Sequence, residues 1–187
     1  VAHIRFVTIE SSTAPALRTP FSMDKVSHTA VHPSDRLPHL LAKAELNLRT
    51  ARVLARAIRE EGLDLIIAAS SMAGAAAHAA SRRTGVPYAV YCFEPHADYM
   101  AECGVWRPGG LKYRFARRME LLQMKHALRI MTVTENYRRH LVEQGLDAQR
   151  FRTMPCVIDT ASFAHSSEDR ARIRTDLGIP LDATVGI

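Results

Sequence analysis

Leu63-Asp64-Leu65-Ile66-Ile67-Ala68-Ala69, followed by Ser70-Ser71 and then Met72-Ala73-Gly74-Ala75-Ala76-Ala77-His78-Ala79-Ala80, decides the fold class. The first run is apolar enough for a strand buried on both faces, as parallel sheets require, and is expected to lie centrally in its sheet. The second is a helix whose small side chains let it approach a sheet or another helix closely, and Gly85 suits its left-handed end. A strand that turns straight into a helix is half of a βαβ unit.

The alternation continues downstream. Val86 to Phe93 reads as the next strand, Gly110 to Leu128 as a basic helix, and Arg129 to Val133 as a strand. Thr134 then caps a helix that stops at Gly145, and Phe151 to Pro155 is a further strand. Ser166 or Ser167 caps a helix ending at Gly178-Ile179-Pro180, and Ala183 to Ile187 looks like a strand that has only begun. Upstream, a strand over Ile4 to Ile9 precedes a Ser-, Thr- and Pro-rich loop from Glu10 to Ser27 and a short strand near Thr29 to Val31. A long helix runs from Leu37 to Glu61, with Leu40, Ala44, Leu48, Ala51, Ala55 and Ile58 at three- and four-residue steps. Ser34 or Asp35 can cap it, Pro38 fits its first turn and Gly62 its end. The expectation is an α/β chain built on a Rossmann-like three-layer parallel sheet, with helices on both faces.

The 187 residues, 47% of them apolar, suffice for one ordinary core. Lys and Arg number 25 against 19 Asp and Glu, a net charge of +6 that favours a polyanionic partner without choosing among nucleic acid, an acidic membrane and a phosphorylated small molecule. Cys92, Cys103 and Cys156 form neither a CxxC pair nor an even framework, which favours free thiols in a reduced, cytoplasmic compartment. No uncharged run reaches the roughly 18 apolar residues of a membrane span. The first residues read as a strand and not as a signal peptide. A soluble or peripheral chain is expected.

From Leu63 onward the order of segments resembles the amino-terminal, acceptor-side domain of the retaining glycosyltransferases of family four, which have the two-domain GT-B fold. Asp64-Leu65-Ile66-Ile67 with the small residues after it is similar to the family's strand and tight turn, and Arg83-Thr84-Gly85-Val86-Pro87 to its helix end. Ile130-Met131-Thr132-Val133-Thr134-Glu135-Asn136 resembles its strand and Val-Ser-Glu helix start. Met154-Pro155-Cys156-Val157-Ile158-Asp159 resembles its Pro-Asn-Gly-Val-Asp crossover, with Cys156-Val157 in place of Asn-Gly. The resemblance implies an acceptor-side domain over 1–163, and over 164–187 a crossover into a donor-binding domain. It implies segments missing beyond both ends, a nucleotide sugar as substrate, no metal or cofactor, and a fragment inactive on its own.

In such a fold ligands gather outside the carboxyl ends of the strands, which singles out the loop Phe93 to Met100. His96 can hydrogen-bond a sugar and Glu94 orient it, with Pro95 stiffening the chain between them. In the family a His often stands at the strand end itself. Phe93 has that place here, so His96 is not a residue-for-residue match. Both can equally be solvated loop polars. Ser70 and Ser71 begin a helix and can grip a hydroxyl or phosphate, although capping alone explains them; Glu135, at another helix start, reads first as support for the helix dipole. Tyr99 and Arg107 complete the acceptor-side candidates. Lys112, Arg114, Arg117 and Arg118, interleaved with Tyr113, Phe115 and Met119, suit an anionic membrane or a phosphorylated acceptor, against the plainer reading of a solvated helix face. His28 and His32 are a lone pair at a common spacing, and no HExxH or CxxC suggests a metal.

Three functions fit this pattern. Transfer from a nucleotide sugar to a polysaccharide, lipid-linked or small-molecule acceptor leads; a sugar-nucleotide epimerase of the same architecture needs no acceptor. A basic α/β module binding nucleic acid lacks any recognisable recognition motif, and no nucleic-acid partner is expected.

Overall fold

Strands alternate with helices as the apolar period requires. The computed structural model describes residues 4–9, 26–33, 39–160 and 166–185, in two compact units, Val1–Pro155 and Cys156–Ile187. In the first unit β1 (Ile4–Ile9) and β2 (Val26–Val31) pair in parallel as a two-stranded sheet. Arg5 bridges to Glu61 at 3.0 Å and ties this sheet to the end of α1 (His39–Glu61). The expected caps Ser34 and Asp35, the first-turn Pro38 and residues 10–25 of the upstream loop lie outside the described residues.

A second, four-stranded sheet carries the rest of the unit. It comprises β3 (Ile66–Ala69), β4 (Tyr88–Cys92), β5 (Arg129–Thr132) and β6 (Phe151–Thr153), all parallel and in that spatial order. α2 (Ser71–Thr84) links the first pair, α3 (His96–Glu102) and α4 (Leu111–His126) the second, and α5 (Glu135–Glu143) the third. α2 ends where Gly85 takes the left-handed conformation (φ 78°), as its sequence predicts. Thr134 caps α5 by accepting the Tyr137 amide at 3.1 Å.

The core is built on one face of this sheet. Ile66, Ala68, Tyr88, Val90, Cys92, Ile130 and Phe151 follow the register across it and meet Ala77 and Ala80 of α2, Met124 of α4 and Ala127 at its end, and Tyr137 and Leu141 of α5. The Tyr88 hydroxyl donates to the Gln123 carbonyl at 2.6 Å, and burial pushes its pKa up to about 12.

Two expectations about this unit are corrected. The strand at 63–69 is neither central nor buried on both faces: among the described residues β3 pairs with β4 alone, and Ile67 is 68% exposed where Ile66 is 7%. An apolar run reads the same whether one face or two are covered, and here the packed helices join a single core on the Ile66 side. The loop expected over Phe93 to Met100 turns into helix at His96, the first residue of α3.

The second unit holds α6 (Ser167–Asp176), capped by Ser166, whose hydroxyl accepts the Asp169 amide at 3.0 Å. Residues 183–185 form no strand, contrary to expectation, and 186–187 lie outside the described residues. No helix among the described residues is long and apolar enough to cross a membrane.

Candidate functional site

The carboxyl ends of β3 and β4 form the walls of one pocket. The chain leaves β3 through Ser70, the one non-glycine described residue with positive φ (87°). That conformation costs an L residue energy and persists because its surroundings fix it. The Ser70 amide donates to the Tyr91 carbonyl at 3.1 Å, and its hydroxyl accepts the Ala73 amide at 3.5 Å to cap α2. At the end of β4, Phe93 turns outward against Tyr91, with ring centroids 4.6 Å apart, and Pro95 starts α3 with His96 as its first residue.

Ser70, Ser71, Met72, Cys92, Phe93, Glu94 and His96 line this pocket of about 250 Å³. Four of the residues singled out from sequence, Ser70, Ser71, Glu94 and His96, thus share one site. His96 Nδ1 lies 3.7 Å from Glu94 Oε1, and both side chains are nearly half exposed. The imidazole stands edge-on to Trp106, centroids 5.6 Å apart at 88°, and Lys112 Nζ sits 4.9 Å from the same indole ring. Trp106 thus touches both a cation and an imidazole, and each contact is favourable.

Beneath the pocket lies Glu120 of α4, 5% exposed. Its Oε1 accepts the Ser71 hydroxyl at 3.1 Å and the Ala97 amide at 3.2 Å. Burial raises its pKa above the ordinary carboxylate range, and the Ser71 and Ala97 hydrogen bonds and nearby His96 oppose that shift. The Cys92 thiol is pushed up to about 12, first by burial and then by Glu120, which makes it inert as a nucleophile. Sequence reading missed Glu120, because a glutamate within a basic helix looks like surface charge. Its spacing carries the signal: it falls in phase with the buried Met124 and Ala127.

The other sequence candidates are placed elsewhere. Tyr99 is exposed on α3, its hydroxyl pKa raised by a hydrogen bond with Cys103 and by nearby Glu94. Arg107 lies in the exposed turn before α4, and neither it nor Tyr99 lines the pocket. Arg114 and Arg118 are exposed on α4, whereas Arg117 is drawn inward to Asp98 at 2.6 Å. Asp98 also accepts the Tyr113 hydroxyl at 2.7 Å, and the three border a neighbouring groove of about 760 Å³ with Asn136 and His140. Glu135 bonds Arg138 at 2.6 Å and the Thr153 hydroxyl at 2.9 Å. Among the described residues no group of three or more His, Cys, Asp or Glu is placed to hold a metal ion.

The fold is similar to that of Anabaena HepE in complex with UDP and glucose, at 14% identity and a TM-score of 0.58, over 82% of this chain and 38% of that one. It is similar also to a UDP-N-acetylglucosamine 2-epimerase from Rickettsia bellii, at 13% identity and a TM-score of 0.51, over 96% of this chain and 52% of that one. The chain therefore spans about half the length of these structures or less. No curated protein matches the sequence. Residues 2–156, which hold both sheets and the pocket, match the glycosyl transferase 4-like domain, and the chain belongs to that family.

Proposed function

We propose that this chain is the acceptor-side domain of a retaining glycosyltransferase, which moves a sugar from a nucleotide-sugar donor to a polysaccharide, lipid-linked or small-molecule acceptor. The observation that carries this reading is the convergence of Ser70, Ser71, Glu94 and His96 on one pocket at the carboxyl edge of a parallel sheet, where open α/β folds gather ligands. Transfer between two hydroxylated substrates depends on polar groups that hold them in line. The His96 imidazole can hydrogen-bond a sugar hydroxyl, and the Glu94 carboxylate, 3.7 Å from its Nδ1, offers an acceptor for a second hydroxyl beside it. Ser70 and Ser71 offer hydroxyls on the opposite wall. The nucleotide is expected to be held by a second domain, so this chain alone should be inactive. No metal or cofactor enters the proposal.

The exposed cations of α4 belong to the same picture. Lys112, Arg114 and Arg118 stand beside Leu111, 87% exposed, and Phe115, 70% exposed, a surface suited to an anionic membrane face at which a lipid-linked acceptor is presented.

The likeness to an epimerase favours one alternative, a sugar-nucleotide epimerase acting without an acceptor. Incubating the intact protein with labelled UDP-glucose and UDP-N-acetylglucosamine, with and without a glycan or polyprenyl-phosphate acceptor, separates the two. Label transferred to an acceptor supports the transferase. An epimerised nucleotide sugar formed without one overturns it.

A further inference from the structure

We propose that Glu120 is a positioning residue, a buried carboxylate that fixes α3, and with it His96, against the Ser70–Ser71 turn. Among the described residues it is the single buried Asp, Glu, Lys, Arg or His. Burying a carboxylate is costly unless its oxygens are well occupied, and a leucine at this phase of α4 would fill the core without that cost. The use of the carboxylate is visible in its partners. One oxygen takes the Ser71 hydroxyl from the first residue of α2 and the Ala97 amide from the start of α3; the other oxygen lies 3.4 Å from the same amide. These two segments are the opposing walls of the pocket.

α3 needs such an outside support. It has seven residues, its N-cap position is Pro95, and no side chain caps it from within its own segment. A helix that short is marginal alone, and its first amides require acceptors. Glu120 provides one from another helix, at the residue next to His96. Asp98, the following residue, is gripped from the same helix by Tyr113 at 2.7 Å and Arg117 at 2.6 Å. One side of α4 therefore holds the helix that begins at His96, and the Ser71 bond sets its distance from the facing wall.

The kinetic part of the test rests on the glycosyltransferase reading; the exchange part does not. In the intact protein, Glu120→Ala is expected to speed amide hydrogen exchange at least about tenfold in peptides spanning 96–102, with little change in β4 and β5, and Glu120→Gln, whose amide oxygen still accepts from Ala97, to restore most of the protection. With UDP-glucose as donor, Glu120→Ala should lower kcat about tenfold while changing the KM for UDP-glucose less than twofold, and Glu120→Gln should recover most of the rate. Unchanged exchange over 96–102, or an increase spread evenly through the sheet, overturns the proposal. So does an unaltered kcat in a variant whose α3 has loosened. Absence of turnover in the unmutated protein with any tested nucleotide sugar counts against the transferase, while exchange still decides the role of Glu120.

Discussion

Glu135 opens α5 and illustrates how one side chain records its surroundings. Its hydrogen bonds with Arg138 and then Thr153 hold its pKa at about 2, below the ordinary 4.5. A carboxylate whose folded-state value is depressed contributes stability that is present above the unfolded value and lost as the pH falls through the folded one. The stabilising effect of Glu135 relative to Glu135→Gln should therefore be full at pH 6, shrink below about pH 4.5 and vanish near pH 2. Because the side chain is half exposed, salt should weaken the effect. Thermal unfolding of both proteins across this range is the check, and a difference independent of pH would sink the idea. At His96 the proposed role is tested by transfer kinetics. The imidazole is 44% exposed, so His96→Ala in the intact protein should leave the unfolding midpoint nearly unchanged while lowering transfer at least about tenfold, roughly 1.4 kcal/mol of transition-state stabilisation. Wild-type kinetics in that variant would remove His96 from the reaction. Both positions were legible in the sequence because they follow strands. Glu120 was not, since its meaning comes from Ser71 and Ala97, forty-nine and twenty-three positions away in the chain.

At the level of elements, the long periodic segments were the readable ones. α1 and α2 start or stop within a few residues of their expected limits because Gly62 and Gly85 end them, whereas α3 escaped notice because a helix of seven residues shows no clear period. The small residues of α2 do what their size implied. A Cβ on Gly74 would meet the Gln123 side chain well inside van der Waals contact, and Gln123, 1% exposed, has little room to move aside. Gly74→Ala gains helix propensity of about 1 kcal/mol and incurs an overpacking strain of about 1–3 kcal/mol, so a net destabilisation of up to about 2 kcal/mol is expected. The Gln123 amide oxygen is buried without a hydrogen-bond partner, so Gln123→Ala removes the clash without breaking a bond at that atom. In the Gln123→Ala background the Gly74→Ala substitution should be neutral or stabilising. Additive denaturation midpoints would disprove the contact.

At the level of the molecule, the alternation of periods identified the parallel α/β class, and order within the sheet escaped because Leu63–Ala69 carries no mark of which neighbours it will have. The net charge of +6 likewise named no partner, but the fold sorts the cations by exposing Arg114 and Arg118 and committing Arg117 to Asp98. Co-sedimentation of the intact protein with vesicles containing phosphatidylserine should weaken with salt and on replacing Arg114 and Arg118 by Gln. It should also weaken for Phe115→Ser at constant charge, and binding indifferent to all three changes would reject membrane attachment. The spatial order β3-β4-β5-β6 is also the order of synthesis. Every strand after β3 pairs with the one made just before it, so the sheet can grow in step with translation, each emerging strand meeting an edge already formed on the ribosome.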